Sequence, residues 1–197
     1  VTDKYWNHNT YFHRVLLDAI PPGAKTALDV GCGEGVLTRQ LRERVPFVTG
    51  IDLHDASLRR AQRFDDDIEY LEGDVLLYPL ERNSFDVVTS VATLHHMDFE
   101  LGLRRCAELL RPGGVLAVVG MARSNYTTDL LVDGWGFVRG NVERMWRKEW
   151  EHSSPVVWPL PMTRDECRRI AQRVLPGSTF TRRMWLRYTL IWTKPAT

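Results

Sequence analysis

The sequence predicts an α/β fold: a seven-stranded, mostly parallel sheet with helices on both faces and an antiparallel last strand. Three observations predict it. Short β-branched or apolar runs alternate with stretches of helical period through most of the 197 residues, the pattern of repeated strand–helix–strand units. A glycine-rich turn, Gly31-Cys32-Gly33-Glu34-Gly35, leaves the first of those runs, where a parallel sheet meets its ligands. The last two runs are joined by a link too short for a crossover, which permits only an antiparallel pair.

Each element has its own signal. Residues 26–31, 47–52, 68–73, 85–91 and 115–120 read as buried strands. Leu37, Leu41 and Val45 recur every four residues and mark a helix over 36–45. Phe99, Leu103, Cys106 and Leu110 form one stripe of a helix over 99–111, which Pro112-Gly113-Gly114 stops and turns. Thr163-Arg164-Asp165-Glu166 has the form of a capping box and opens a helix reaching about Val174. Closing strands follow near 179–184 and 186–193. In the second, Leu186, Tyr188, Leu190 and Trp192 alternate with Arg187, Thr189, Ile191 and Thr193.

The chain is 44% hydrophobic and 26% charged, with a formal net charge of +1. Those values suit one globular domain over 1–197 and exclude a disordered chain. Near-neutral charge argues against a nucleic-acid coat or a strongly basic membrane-surface protein. Cys32, Cys106 and Cys167 are far apart, odd in number and without a C-x-x-C pair, so neither a disulfide framework nor a zinc site is signalled. The first residues lack the basic-then-apolar pattern of a leader, and no apolar run reaches membrane-spanning length. A cytoplasmic chain with reduced thiols and no membrane association is expected.

The glycine turn carries the most information. Glycines at 31, 33 and 35 allow a tight turn and a close ligand approach. Their spacing is G-x-G-x-G, with Val36 where a dinucleotide fingerprint has its third glycine, and no P-loop lysine follows. The next strand ends Gly50-Ile51-Asp52, which puts a carboxylate about twenty residues beyond the loop, the place for one that accepts both ribose hydroxyls. Asp52 could otherwise cap a helix, although Asp55 is the better cap candidate. Asp74 follows the third strand, where a carboxylate can accept an adenine amine. Acids without a basic residue in the loop suit an adenosine bearing a cationic centre rather than a polyphosphate. Asp29 and Glu34 are expected to add negative potential near that cation.

Read together, these blocks resemble the class I S-adenosylmethionine-dependent methyltransferases. The resemblance rests on Leu28-Asp29-Val30-Gly31-Cys32-Gly33-Glu34-Gly35, Gly50-Ile51-Asp52, Gly73-Asp74-Val75, Ser84-Phe85-Asp86-Val87-Val88, Leu94-His95-His96-Met97 and Leu110-Arg111-Pro112-Gly113-Gly114. It is strongest over 24–120. It implies a Rossmann-like sheet and S-adenosyl-L-methionine as cofactor. Gly31, Cys32, Gly33 and Gly35 would lie under the methionine and ribose, with Asp29 helping to hold the amino group. Asp52 would take the ribose hydroxyls, Leu53 the adenine face, Asp74 and Val75 the adenine edge, and Val91 the sulfur side. Residues 121–162 would be a variable substrate-side insertion, while the aromatic residues within 1–24 read either as an N-terminal lid segment or as packing that ties the segment to the sheet.

Methyl transfer from a sulfonium needs alignment, water exclusion and, for a hydroxyl or protonated amine, a proton acceptor. His95 and His96, just past the fourth strand, are the candidate bases, His95 being nearer the strand end; His152 is a weaker one. The commoner reading of the His-His pair is structural. Tyr5, Tyr11 and Trp135 are candidate acceptor contacts, while Trp146 and Trp150 read as helix packing. No metal is expected. Arg164, Arg168, Arg169, Arg173, Arg182, Arg183 and Arg187 suggest either a nucleic-acid face or a solvated one, and the low net charge favours the latter. The expected activity is methyl transfer to oxygen or nitrogen of a small-molecule acceptor. Its rivals are an RNA or protein methyltransferase, a cofactor-binding chain without transfer, and a nicotinamide dehydrogenase.

Overall fold

A computed structural model describes residues 5–64, 67–124, 134, 150 and 157–196. A short 3-10 turn, Thr10–Phe12, runs into α1, His13–Asp18. Then come β1 Thr26–Val30, α2 Val36–Arg42, β2 Phe47–Asp52, α3 Asp55–Gln62, β3 Glu69–Glu72 and β4 Phe85–Val91. A second 3-10 turn, Leu94–His96, precedes α4 Phe99–Leu109 and β5 Leu110–Met121; α5 Arg164–Val174, β6 Thr179–Arg182 and β7 Arg187–Thr193 close the described fold. The seven strands form one sheet in the order β3-β2-β1-β4-β5-β7-β6. The first five in that order are parallel, and β7 is antiparallel to both β5 and β6.

Strand alternation divides the core between the two faces. Leu28, Val30, Val88, Leu116 and Val118 pack with Leu103 and Cys106 of α4, Cys167 and Ala171 of α5, and Tyr188, Leu190 and Trp192 of β7. Ala27, Val87, Ala117 and Val119 face the other way, onto Phe12, Leu16, Leu37 and Leu41. Each fully buried leucine of this kind contributes about 1.5–3 kcal/mol. The glycine turn therefore leaves a sheet fixed from both sides.

Local chemistry sets the element ends. The Asp98 side chain accepts the Leu101 N–H at 2.9 Å and starts α4. Thr163 and Glu166 form the expected reciprocal capping box at α5. Asp55 does not cap α3: it is the first helical residue, His54 precedes it, and Asp52 accepts the His54 N–H at 2.8 Å. Helix α2 ends at Arg42, short of the expected 45, although the Val45 N–H still reaches the Leu41 carbonyl and Val45 stays buried. The stretch Pro112-Gly113-Gly114 is more than a turn. Leu110 already pairs with Phe85, the register shifts before Val87, and Gly113 and Gly114 exchange backbone bonds with Lys194, so β5 begins five residues earlier than expected.

Candidate active site

The ends of β1, β2, β4 and β5 share one rim, and the predicted ligand-binding residues gather there. Gly31, Gly33 and Gly35 are all left-handed, with φ of 72°, 53° and 72°, a conformation that a Cβ penalises. At Gly31 a Cβ would also run into the side chain of Thr93, and at Gly35 it would stand 2.5 Å from the Tyr70 hydroxyl. Thr93 is the residue that sequence reasoning missed. Its hydroxyl donates to the Val91 carbonyl at 3.0 Å and lies 3.5 Å from the Gly31 carbonyl, coupling the loop to the end of β4. Its only signal was its place between Val91 and the His-His pair. Next to it Ala92 is left-handed, with φ of 51°, a strained conformation of the kind that collects at functional rims.

The loop's N–H groups are turned inward. Those of Gly31 and Cys32 donate to the Ile51 carbonyl at 2.8 and 3.2 Å, and that of Gly35 to the Cys32 carbonyl at 2.9 Å. The Gly33 N–H donates to the Asp52 carboxylate at 2.8 Å. A phosphate-binding loop works by presenting such donors to the ligand. Here four are already satisfied by protein, so the loop fits an adenosyl ligand without phosphate.

Asp52 stands at the tip of β2, with one oxygen on Gly33 and the other on His54. Beside it Leu53 is 69% exposed, an apolar surface open for a flat ring. Asp74 follows β3; one carboxylate oxygen accepts the Leu76 N–H at 2.9 Å, while Val75 is buried. Cys32 is buried and unbridged, its Sγ packed toward Gly50, and burial pushes its thiol well above the ordinary range.

Asp29 and Glu34 do not face the rim as freely as the sequence suggested. Asp29 is 2% exposed, and its two oxygens accept the hydroxyls of Thr38 and Thr89 at 2.8 and 2.9 Å. Burial lifts its carboxyl to about 6 against the opposing pull of those hydroxyls. The Glu34 carboxylate pairs with Arg60 at 2.9 Å.

Across the rim, His95 and His96 occupy the 3-10 turn after β4, their ring centroids 4.1 Å apart. His95 lines a narrow cleft with Met97, Phe99, Met121, Met162 and Tyr188. Burial pulls its imidazole down to about 4, helped by His96 and Arg187; burial also lowers the more exposed His96, against Asp52. Tyr5 packs edge-on against Trp150 at 5.6 Å, and Tyr11 against Phe12 and Trp185 at 5.0 and 5.2 Å. Trp135, Trp146 and His152 lie outside the described residues.

Among the C-terminal arginines, Arg164 is fully buried and donates to the Arg183 carbonyl. Arg173 pairs with Glu100 at 2.6 Å and Arg182 with Asp165 at 2.7 Å, while Arg183 donates to the Thr189 hydroxyl at 3.1 Å. Among the described residues no three His, Cys, Asp or Glu side chains gather as a metal site, and no helix is long and apolar enough to cross a membrane.

A five-strand parallel sheet closed by a reversed hairpin, with an inward-turned glycine loop facing strand-tip acids, defines a Rossmann-like S-adenosylmethionine-dependent methyltransferase. Residues 28–118 match the family model described as a methyltransferase domain. An uncharacterized methyltransferase of Mycobacterium tuberculosis is 37% identical over 200 aligned positions, covering 98% of this chain and 99% of that protein. A ubiquinone biosynthesis O-methyltransferase of Coxiella burnetii is 33% identical over 97 positions, 47% of this chain and 42% of that one. The S-adenosylmethionine-bound amino pentose methyltransferase of Micromonospora echinaspora superposes with a TM-score of 0.70 at 18% identity, over 98% of this chain and 93% of that one; at that identity the likeness speaks for the fold. The chain belongs to the class I S-adenosylmethionine-dependent methyltransferase family, and S-adenosylmethionine is its cofactor.

Proposed function

We propose that this protein transfers the methyl group to an oxygen or nitrogen of a small-molecule acceptor with a compact apolar body. The observation that carries this reading is the apolar lining of the cleft beside His95, which encloses only about 10 Å³ and must part to admit an acceptor. Its walls are methionine, phenylalanine and tyrosine side chains, surfaces that take flat or aliphatic groups rather than a polyanion. The engagement of Arg164, Arg173, Arg182 and Arg183 with protein partners supports the same choice over an RNA acceptor. Two similar proteins carry small-molecule activities in their names, a ubiquinone biosynthesis O-methyltransferase and an amino pentose methyltransferase, which supports the reading, and we infer a cytoplasmic site of action.

Bound S-adenosylmethionine supplies a methyl group already activated by its sulfonium charge. The protein's own residues do the rest. Gly31, Cys32, Gly33 and Gly35 give the cofactor a floor without projecting Cβ atoms at the three glycines. Asp52 accepts the ribose hydroxyls, Leu53 covers the adenine face, Asp74 and Val75 meet its edge, and Val91 stands on the sulfur side. Asp29 acts from beneath, holding the loop's strand to α2 and β4 through Thr38 and Thr89. His95, neutral at working pH, accepts a hydrogen bond or proton from the acceptor's attacking atom. Tyr5 and Tyr11 contribute to the acceptor's surroundings.

The test is a labelled-methyl transfer assay over panels of phenols, hydroxyquinones and amines, run beside RNA and protein panels. Label in a small-molecule product supports the reading; label confined to RNA or protein overturns it. On the accepted substrate, His95→Gln should cut turnover about 100-fold, the low end for a proton-transfer group because this imidazole is so weakly basic. Cofactor affinity should be unchanged. Wild-type turnover in that variant would remove His95 from the chemistry.

A further inference from the structure

The β6–β7 hairpin is built to hold something. Its tip stands at the ligand rim, because Arg187 pairs opposite Met121, the last residue of β5. Trp185 and Leu186 are both left-handed, with φ of 58° and 60°. Hairpins give those two positions to Asn-Gly pairs because a bulky side chain is costly there. What the tip gains is contact with the N-terminal segment. The Trp185 ring lies 4.5 Å from His8, 5.2 Å from Tyr11 and 6.0 Å from Phe12.

Arg187 completes the connection. Its Nε and Nη2 both donate to Asn9 Oδ1, at 3.1 and 2.8 Å, and its Nη1 donates to the Trp185 carbonyl. From the other side the Trp150 N–H donates to the Trp6 carbonyl at 2.8 Å. Met121, opposite Arg187, lines the same cleft as His95.

We propose that Arg187 is a positioning residue for methyl transfer: it clamps the N-terminal segment to the rim through Asn9 and sets a fixed positive charge beside the cleft that holds His95. The inference rests on the reading of His95 as the acceptor's hydrogen-bond partner. A cation near an imidazole disfavours its protonation, so Arg187 adds to the burial that holds His95 in its accepting form. Other groups around His95 act beside it, and His96 lowers the imidazole in the same direction. His96 is its neighbour on the same turn, with Asp52 acting on His96 from β2. Cys167 of α5 and Tyr188 of β7, which hydrogen-bond to each other, are kept protonated by burial, Cys167 at about 12.

Imidazole-labelled protein, titrated by NMR from pH 8 to pH 3 with no acceptor added, reads the charge. Amide exchange over 5–12 reads the clamp. Arg187→Gln should raise the His95 midpoint by roughly half a unit and speed exchange severalfold. Arg187→Lys should leave the midpoint at its wild-type value but speed exchange, because an ammonium lacks the guanidinium fork. Asn9→Ala, which keeps the charge, should do the same. An unchanged midpoint in Arg187→Gln, or unchanged exchange in all three variants, overturns the proposal. If that variant does not fold, a midpoint shift in Asn9→Ala or Arg187→Lys overturns the separation of charge from clamp. Failure of the His95 reading looks different: the midpoint and exchange behave as stated while His95→Gln retains full transfer.

Discussion

The half of the sheet made by β3, β2 and β1 fixes its rim through neighbours in sequence or in the adjoining strand. Asp52 binds the N–H two residues on and the loop N–H of the next strand, Asp74 binds the N–H of Leu76, and the N–H groups of Gly31, Cys32 and Gly35 close onto Ile51 and Cys32. The half made by β5, β7 and β6 fixes its rim with partners from opposite ends of the chain. Asn9 meets Arg187 across 178 positions, and Asn7 meets Trp150 across 143. The first arrangement depends on backbone shape, so it tolerates little change in the residues that set that shape. The second depends on side-chain packing, which can be exchanged for other packing.

Two glycines sharpen that contrast most. Gly31→Ala combines a left-handed φ with a collision against Thr93, and should cost about 3–5 kcal/mol in urea unfolding. Trimming Thr93 to serine should relieve little of it, since the backbone conformation remains. At Gly120, φ is ordinary and the obstacle is the Tyr188 ring lying over it. Gly120→Ala should cost about 2–3 kcal/mol, and a double-mutant cycle with Tyr188→Val should return a coupling of about 1–3 kcal/mol. Equal relief at both sites would erase the distinction between the two halves.

Asp29 gives the next largest effect. Burial raises its folded pKa to about 6 from 3.8, so the protonated carboxyl favours the fold below about pH 4 and that advantage is lost as pH rises through 6. Against Asp29→Asn, wild-type stability should therefore fall by about 2 kcal/mol between pH 4 and pH 7, measured by parallel urea titrations. A difference that ignores pH would mean that the carboxylate is solvated and the loop's strand is less rigid than its contacts imply. The smallest change is Asp52→Ala, which should weaken S-adenosylhomocysteine binding by about 1–3 kcal/mol in calorimetry. Unchanged affinity would remove the ribose assignment.

The same contrast explains what could be read before the structure was known. The five parallel strands, the glycine loop, Asp52 and the antiparallel close were legible because each depends on short-range spacing or alternation. The capping box at α5 was legible for that reason too. The start of β5 was not, since Pro-Gly-Gly reads as a stop and only pairing with Lys194 and Phe85 extends the strand through it. Glu34's neutralisation by Arg60 and Asp29's capture by two threonines depend on which faces meet across strands and helices. Thr93 could not be found because its hydroxyl acts on carbonyls brought together by tertiary structure. The clamp at Arg187 was read only as one charge in a basic tail, since nothing near it in sequence mentions Asn9.

The reversed direction of β7 has a practical result. A seventh strand laid parallel to the others would have delivered its leading end to the far side of the sheet and needed a long excursion to return. Running backward, it brings a four-residue corner, 183–186, to the end of β5 and against the N-terminal segment. Evolution or engineering could recut that corner while leaving the strands that carry the glycine turn and Asp52 untouched.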